Sequence, residues 1–531
     1  MHEHHCLLTG VLVDDSPVTM RDIPMVVDDS TGAHADTTIN ERDLELVREV
    51  FDEYINNEMP IRLLHITDNG HQDIKFELVD RIFVKDHFEK EKVPDVICAE
   101  FCGRRLVDME DRIRAEVKKR LNYAIFSHRW LSKEPLYQDM SKEPMADTEP
   151  GWNKLQEFCR KAMCDHGCKF AWSDTCCINK QSSAELDESI RSMFRWYRNS
   201  HICIAFLSET ADLEALKKSQ TGEGGAKIDA WFLRGWTLQE LLAPERIKFY
   251  GANWEPLVSL CISKCDRSSE NIMKIIENIT HIPLDDLKAF SPGTNQVPEK
   301  MLWASQRRTT RIEDIAYCLI GIFDVSLMIA YGEGNRAFFR LMEEILKRYD
   351  KWDVFRWSGR CSRYNAALPD APCCYPAGYS ETRRIPRDQV YTDEESNNAT
   401  LDVGDRLFEL TNHGLRIRLY IVKVMLSDTK DRTVNSRCLT FSQSNFRVPL
   451  VVKHLGAECK DSTEWAIGIL DYWVTKLGRG LVDSRQKPFT AFLLSYDKDA
   501  PGARWKKEMT EKVIEIQSPD CMTQDLTQLF L

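Results

Sequence analysis

The sequence predicts an α/β fold built on a mostly parallel sheet, and two patterns support this prediction. Between residues 123 and 250, short apolar runs alternate with segments whose apolar residues recur at helical spacing. This alternation is typical of parallel strands joined by right-handed crossover helices, which cover both faces of a sheet. Each apolar run also ends abruptly in polar residues. Because ligands bind at the carboxyl ends of the strands in such folds, these polar segments are where we expect a site.

Each element of this pattern has a local signal. Helices are expected over residues 152–163 and 186–197, and Ser182 with Glu185 forms a capping-box pattern before the second of them. A short helix that carries Glu240 is expected to stop at Pro244. The predicted strands cover residues 61–66, 74–78, 93–101, 123–126, 169–172, 201–207 and 246–250.

The composition changes along the chain and predicts four parts. Residues 1–58 are rich in Asp, Thr, Ser and His and are expected to form a mostly flexible leader with one helical patch at 44–54. Residues 59–256 hold the α/β pattern, and residues 257–356 form a helical extension expected to pack on it. Residues 357–531 begin as a Pro- and Cys-rich loop and continue as a β-rich domain, with strands near 407–410, 415–422, 438–441, 465–470 and 489–495.

Charge and composition argue against several classes of protein. A net charge of −12 and a pI near 5.7 argue against general nucleic-acid binding, which needs a basic surface. No run of about 18 apolar residues occurs, so we expect no membrane span. Without a secretory signal pattern, a cytoplasmic location and reduced thiols are expected for the 18 cysteines. Their spacing lacks a repeated zinc-ligand pattern, and no metal site is predicted.

Polar residues follow three of the predicted strands and should meet at one edge of the sheet. Two groups come directly after strands, and a third lies in the segment 230–244 beyond the next strand. In that segment a Trp and a Glu are four residues apart, which places them on one face of a helix. The candidate site residues are Ser127, His128, Arg129, Trp130, Asp174, Thr175, Arg234, Trp236 and Glu240.

These segments resemble the conserved blocks of the fungal heterokaryon incompatibility (HET) domain. The blocks are YAIFSHRW (123–130), WSDTCCINK (172–180), SAEL with MFRWY (183–186 and 193–197) and RGWTLQELLAP (234–244). Residues 308–323 and 331–338 resemble the segment that follows this domain in many such proteins, so the resemblance covers roughly residues 61–357. HET domains are implicated in fungal non-self recognition and cell death, and they look like distant relatives of TIR domains. The resemblance therefore implies a TIR/flavodoxin-like sheet.

The TIR resemblance also implies an activity. Some TIR domains cleave NAD, and the plant type carries its catalytic Glu on a Trp-Cys-Leu-x-Glu helix that WTLQE (236–240) resembles in spacing and place, with Thr237 instead of the Cys. By that match Glu240 is the implied catalytic acid of a NAD glycohydrolase, and NAD or a related nucleotide is its substrate, with no bound cofactor. The other implied roles are ribose or phosphate contact by Ser127, His128 and Arg129, ribose binding by Asp174 and Thr175, ring stacking by Trp130 or Trp236, and pyrophosphate binding by Arg234.

Other interpretations of the same residues remain open. Asp174 is equally explained as a helix cap, Arg234 as half of a structural ion pair, and the two Trp residues as core. The protein as a whole is also explained as a non-catalytic signalling module that recruits a partner, and Cys176 with His128 as a hydrolase pair. Whether the protein is an enzyme or a signalling module, the resemblance implies a homo-oligomer on activation and a protein partner that the sequence does not identify.

Overall fold

A computed structural model of the chain describes residues 41–68, 70, 74–101, 109–141, 149–349, 351–375, 408–427, 437–442, 450–454, 463–470, 489–499, 504–516 and 526–531. All four sequence blocks that resemble the HET domain fall within these ranges. Most of the predicted leader, residues 1–40, lies outside them, as does residue 407 at the start of one predicted strand. The predicted α/β fold class is confirmed, because a mixed sheet with flanking helices stands next to a second, antiparallel sheet.

The first sheet contains, within the described ranges, six strands, and its central part is parallel. The strands are β1 (Arg62–Asp68), β2 (Ile74–Asp80), β3 (Ala124–His128), β4 (Phe170–Trp172), β5 (Ile202–Phe206) and β6 (Ile247–Tyr250). They lie in the order β2-β1-β4-β3-β5-β6. The pairs β4-β3, β3-β5 and β5-β6 are parallel, whereas β1 is antiparallel to both of its neighbours. Every residue of β3, β5 and β6 is buried, which agrees with strands covered on both faces.

Helices precede and connect these strands. They are α1 (Glu41–Asn57), α2 (Arg81–Lys90), α3 (Val93–Glu100), α4 (Glu110–Arg120), α5 (Pro150–His166), α6 (Ser183–Asn199), α7 (Leu213–Thr221) and α8 (Thr237–Leu242). The helical patch predicted at residues 44–54 is confirmed by α1, which buries Val47, Phe51 and Tyr54 in the main core. The two long helices predicted between the strands are confirmed by α5 and α6.

One predicted strand is wrong. Residues 93–101 form the helix α3 and its cap instead of a strand. The apolar run there is compatible with either structure, and Pro94 in the first helical turn favours the helix because its missing N–H is not needed at that position. Val93, Ile97 and Cys98 are buried at helical spacing, so packing of one helix face decides the outcome.

The helical extension docks directly on the α/β part. Its helices are α9 (Glu270–Thr280), α10 (Leu284–Lys288), α11 (Val297–Ser305), α12 (Asp314–Tyr317), α13 (Ile320–Phe323) and α14 (Arg336–Leu346). A Cβ added to Gly321 would lie only 2.2 Å from Cβ of Phe194, so glycine lets α13 pack closely on α6. Backbone bonds of 2.7 Å from Arg308 N to Leu233 O and 2.9 Å from Gly235 N to Arg308 O join the extension to the segment that precedes α8.

The second sheet is antiparallel in every described pair. Its strands are β7 (Glu409–Thr411), β8 (Gly414–Ser427), β9 (Arg437–Ser442), β10 (Leu450–His454), β11 (Thr463–Ile469), β12 (Phe489–Asp497), β13 (Trp505–Lys507), β14 (Ile514–Ile516) and β15 (Leu526–Phe530). The strands predicted near 415–422, 438–441, 465–470 and 489–495 are confirmed by β8, β9, β11 and β12. Alternate residues of β12 face different clusters, since Phe492 joins the main core and Leu493 a second one. In the described parts of the chain, the search for a helix long and apolar enough to cross a membrane finds none.

Candidate functional site

The end of the central strand β3 is the point around which the candidate residues gather. Ser127 and His128 are its last two residues and lie in register with Ala205 and Phe206 of β5. The loop that follows β4 brings Asp174 to the same edge, because β4 is the other neighbour of β3. The short helix α8 supplies Glu240 from the next connection along the chain.

A chain of hydrogen bonds joins α8 to β3 through Ser127. The Ser127 hydroxyl donates to Oε2 of Glu240 at 2.5 Å and accepts from the indole Nε1 of Trp231 at 2.9 Å. Glu240 is only 7% exposed, and Ser127 and Trp231 are fully buried. The carboxyl group therefore lies inside the protein at the carboxyl end of the sheet, with the hydroxyls of Ser127 and Tyr197 as hydrogen-bond partners and no ion pair among the described residues.

This environment changes the protonation of Glu240. Burial raises the pKa of its carboxyl from 4.5 to about 8, and the charge of Asp174 acts in the same direction. The hydrogen bond from Ser127 and the positive charges of Arg234 and Arg307 oppose the rise without cancelling it. At neutral pH the carboxyl is consequently mostly protonated in the unliganded protein.

The helical extension fixes the position of α8. The guanidinium of Arg307, which follows α11, donates to the carbonyl oxygen of Arg234 at 2.9 Å and to Oγ1 of Thr237 at 3.0 Å. Thr237 in turn donates to the carbonyl oxygen of Trp231 at 2.6 Å. Because these bonds join the residues just before α8 to its first turn, they hold the start of the helix that carries Glu240.

His128 is a buried imidazole without a hydrogen-bond partner in the described structure. Its side chain is 1% exposed, both ring nitrogens lack a partner, and Nε2 lies 3.8 Å from Oδ1 of Asp174. Burial lowers the pKa of this imidazole well below 6.5, and the positive charges of Lys154, Arg234 and Lys180 lower it further. His128 is therefore neutral near pH 7, with one N–H donor and one acceptor available.

Asp174, Trp130 and Lys180 form a contact at the open side of the site. The indole Nε1 of Trp130 donates to both carboxylate oxygens of Asp174, at 3.1 and 2.9 Å. The ammonium of Lys180 lies 3.6 Å from the centroid of the Trp130 ring, which is cation–π range. Trp130 is 39% exposed, so this group connects the buried carboxyl end of the sheet to solvent.

The loop after β4 is held by its own hydrogen bonds. Ser182 caps α6 by accepting from the backbone N–H of Glu185 at 3.4 Å, which confirms one half of the capping-box pattern. The other half is replaced, since the carboxylate of Glu185 accepts from the backbone N–H of Asn179 at 2.7 Å and pairs with Arg62. This arrangement fixes the loop on which Asp174 and Lys180 lie.

Three candidate residues have other partners. The hydroxyl of Thr175 is buried against Ser173 Oγ at 2.9 Å, so it faces the inside of its own loop. Arg129 forms an ion pair of 2.8 Å with Glu209. The indole of Trp236 hydrogen-bonds Asp314 at the start of α12, although one helical turn separates it from Glu240. These contacts are structural, and no ligand role for these residues follows from them.

Two residues that the sequence pattern did not select take prominent places. Trp231 donates to Ser127 in the buried network next to Glu240, whereas the i, i+4 pattern selected Trp236 as the indole near Glu240; the signal for Trp231 was its place in the same aromatic segment. Lys180, whose Nζ has no hydrogen-bond partner in the described residues, was visible only as the last letter of the second block. The charge of Arg234 acts on His128 and Glu240, and its contact with a pyrophosphate stays a prediction.

The Cys–His alternative lacks the required geometry. Cys176 is fully buried, and neither ring nitrogen of His128 has a hydrogen-bond partner, so the thiol does not reach the imidazole. A search of the described residues also finds no group of three or more His, Cys, Asp or Glu arranged to hold a metal ion.

The α/β part of this chain is similar to a HET domain, as its sequence blocks predict. Residues 123–227 match the family model described as "Heterokaryon incompatibility protein (HET)", which confirms the resemblance seen in the sequence. The chain is also similar to the Vegetative incompatibility protein HET-E-1 of Podospora anserina, with 41% identity over 232 residues. That match covers 42% of this chain and 16% of the length of the relative. No solved structure matches the chain.

Proposed function

We propose that this chain is an effector of heterokaryon incompatibility whose activation leads to cell death. The support is the HET-domain match and the 41% identity to a vegetative incompatibility protein. Because the match spans only 16% of that protein, its role is transferred here as part of the proposal. Activation by assembly into a homo-oligomer in the cytoplasm, in response to a protein partner, completes this scheme.

The chemistry that we propose for the site is cleavage of NAD at the nicotinamide–ribose bond, as in TIR-type enzymes. The observation that carries this proposal is the buried carboxyl of Glu240, which hydrogen-bonds Ser127 at 2.5 Å next to the end of β3 and has a pKa raised to about 8. Buried acids with a strongly raised pKa at the carboxyl end of a parallel sheet are typical of catalytic sites.

The proposed reaction uses the ionised form of Glu240. The bond between the nicotinamide nitrogen and the ribose carbon breaks, its electron pair leaves with nicotinamide, and water adds to the ribose carbon with loss of a proton. Positive charge develops on the ribose in the transition state, and a carboxylate next to it stabilises that charge. The cationic nicotinamide ring of the substrate lowers the pKa of Glu240 when it binds, which favours the carboxylate form.

One observation favours a second candidate, a non-catalytic signalling module. Ser127 and Trp231 use their hydrogen-bonding groups to fasten Glu240 to β3, as a purely structural network would. In that case the carboxyl end of the first sheet binds a partner protein, and recruitment of that partner leads to cell death. The two candidates differ in whether Glu240 is needed for NAD loss.

The experiment that separates them measures nicotinamide release from NAD by the purified full-length chain, with assembly enforced by a fused dimerisation domain. We expect release by the wild type, a decrease of roughly a hundredfold or more in Glu240→Gln, and normal activity in Glu245→Gln, whose carboxylate is exposed and paired with Lys118. Unchanged release in Glu240→Gln contradicts the site assignment, and release by none of the proteins supports the signalling module.

A further inference from the structure

Two buried polar groups at the site have no hydrogen-bond partner in the described structure. They are the imidazole of His128, through both ring nitrogens, and the ammonium of Lys180. Buried polar groups in native proteins are almost always hydrogen-bonded, because leaving one unpaired destabilises the fold. Both groups lie next to Asp174. One missing ligand therefore explains them better than two unrelated unpaired groups do.

The charges around these groups indicate the sign of that ligand. Lys154 pairs with Glu134, so these two charges cancel. The remaining cations are Lys180, Arg234 and Arg307, against the single carboxylate of Asp174, since burial keeps Glu240 mostly protonated. Positive charge is therefore in excess at a partly buried position, which favours binding of an anion.

The position of Lys180 suits a residue that changes partner when a ligand binds. Its ammonium lies over the Trp130 ring, 3.6 Å from the centroid, and burial lowers the pKa of the amine. Trp130 is half-exposed, so the contact between ring and ammonium lies close to solvent although the ammonium itself is buried. A cation–π contact at such a site is weaker than a charge-assisted hydrogen bond to phosphate at short range.

We propose that Lys180, together with Arg234 and the neutral imidazole of His128, binds the phosphate groups of a nucleotide ligand. Lys180 supplies a mobile point charge, Arg234 a forked set of donors, and His128 one N–H from the end of β3. The identification of the nucleotide as NAD rests on the proposed function, whereas recognition of phosphate by these three residues does not. Trp130 then loses its cation and presents a free ring face at the open side of the site.

The test is calorimetric titration of the full-length chain with ADP-ribose, adenosine and inorganic pyrophosphate. We expect ADP-ribose to bind more tightly than pyrophosphate, and adenosine to bind at least roughly tenfold more weakly than ADP-ribose because it lacks phosphate. Lys180→Met should lower the affinity for ADP-ribose roughly tenfold or more, while Lys180→Arg keeps it within about threefold. The control is Lys133→Met. Lys133 is an exposed lysine in the loop after β3 and is paired with Glu149, so its loss should leave the affinity unchanged.

Several results overturn the inference. They are equal affinity of wild type and Lys180→Met for ADP-ribose, equal affinity of the wild type for adenosine and ADP-ribose, or tighter binding of pyrophosphate than of ADP-ribose. Thermal unfolding of each variant excludes a folding defect as the cause of lost binding. Failure of the proposed function looks different: ADP-ribose binding that depends on Lys180, without nicotinamide release, supports the inference and contradicts NAD cleavage. Nicotinamide release with an unchanged KM in Lys180→Met supports NAD cleavage and contradicts the inference about Lys180.

Discussion

Burial and hydrogen bonding act on the carboxyl of Glu240 in opposite directions, and burial prevails. The bond from Ser127 and two nearby guanidinium groups lower its pKa, yet the pKa stays near 8. The protein thus keeps this acid largely neutral until a cationic group arrives beside it. In the proposed mechanism the protonated carboxyl is the inactive form, so the activity should depend on pH.

The stability of the folded chain should carry the same signature. Folding raises the pKa of this carboxyl from 4.5 to about 8. Its contribution to the free energy of unfolding is therefore fully present below about pH 4.5 and is lost as the pH rises to about 8. Glu240→Gln removes the ionisation, so the free energy of unfolding of this variant relative to wild type should increase by up to about 1.4 kcal/mol per pH unit across that window.

Chemical denaturation at pH 5 and pH 8 checks this expectation, with Glu245→Gln as the exposed control. A difference between wild type and Glu240→Gln that is the same at both pH values contradicts the raised pKa. The lowered pKa of His128 affects both proteins equally and does not enter the difference.

Individual residues were predicted from the sequence with mixed success. Glu240, Ser127 and His128 were found because strand ends and a helical segment of known order must meet in a parallel sheet. Trp231 was not selected, because the i, i+4 rule placed Trp236 next to Glu240, whereas the Trp236 indole hydrogen-bonds Asp314 in the extension. Lys180 was missed because an unpaired ammonium is a property of its surroundings, which the sequence does not show.

Among the elements, strands buried on both faces were the most predictable, and short apolar segments the least. The apolar run of α3 was compatible with a strand or a helix until its packing was known. The extension offers a related example, because α12 and α13 are single turns and α13 packs closely on α6 at Gly321.

A buried ion pair joins the strand β6 to the segment that follows it. The ammonium of Lys248 lies 2.8 Å from Oδ1 of Asp266, and both side chains are fully buried. Asp266 also accepts from the backbone N–H of Phe249 at 2.8 Å. Lys248→Met should lower the free energy of unfolding by about 3–5 kcal/mol, because it leaves a buried carboxylate without its counter-charge.

Urea denaturation measures this loss. The matched control is Lys274→Met, whose pair with Glu270 has the same 2.8 Å distance but is exposed, and its effect should be much smaller because solvent screens the pair. Adding Asp266→Asn to Lys248→Met should recover part of the loss. Equal effects of Lys248→Met and Lys274→Met would show that burial does not govern this pair.

At the scale of the whole molecule, the main apolar core continues from the α/β part into the second sheet. Buried residues of β8 and β12, among them Ile417 and Phe492, belong to the same cluster as those of β3 and β5. The boundary segment takes part, since Gly359 donates a backbone hydrogen bond of 2.7 Å to Thr510. The sequence predicted the β-rich character of this region but not its shared core, because periodicity identifies a buried face without identifying what covers it.

Lys507 lies at this junction and should make its stability dependent on pH. Its ammonium is 3.3 Å from the centroid of the Trp357 ring, and burial lowers the pKa of the amine from 10.5 to about 7. The contribution of Lys507 to the free energy of unfolding is therefore fully present above about pH 10.5 and is lost as the pH falls to about 7. Lys507→Met keeps the apolar stem and should raise the melting temperature at pH 7 more than at pH 10. Lys506→Met, at an exposed neighbour, should not, and equal shifts at the two pH values would refute the assignment.

The dependence of kcat/KM for nicotinamide release on pH tests most directly whether Glu240 is the catalytic carboxylate. The assembled full-length protein should show kcat/KM rising about tenfold per pH unit below a midpoint near pH 8, the pKa of the buried carboxyl in the free protein. Above that pH the profile should level off, and Glu240→Gln should lose the rise together with the activity. A flat profile, or a midpoint near the ordinary value of 4.5, would contradict this role of Glu240.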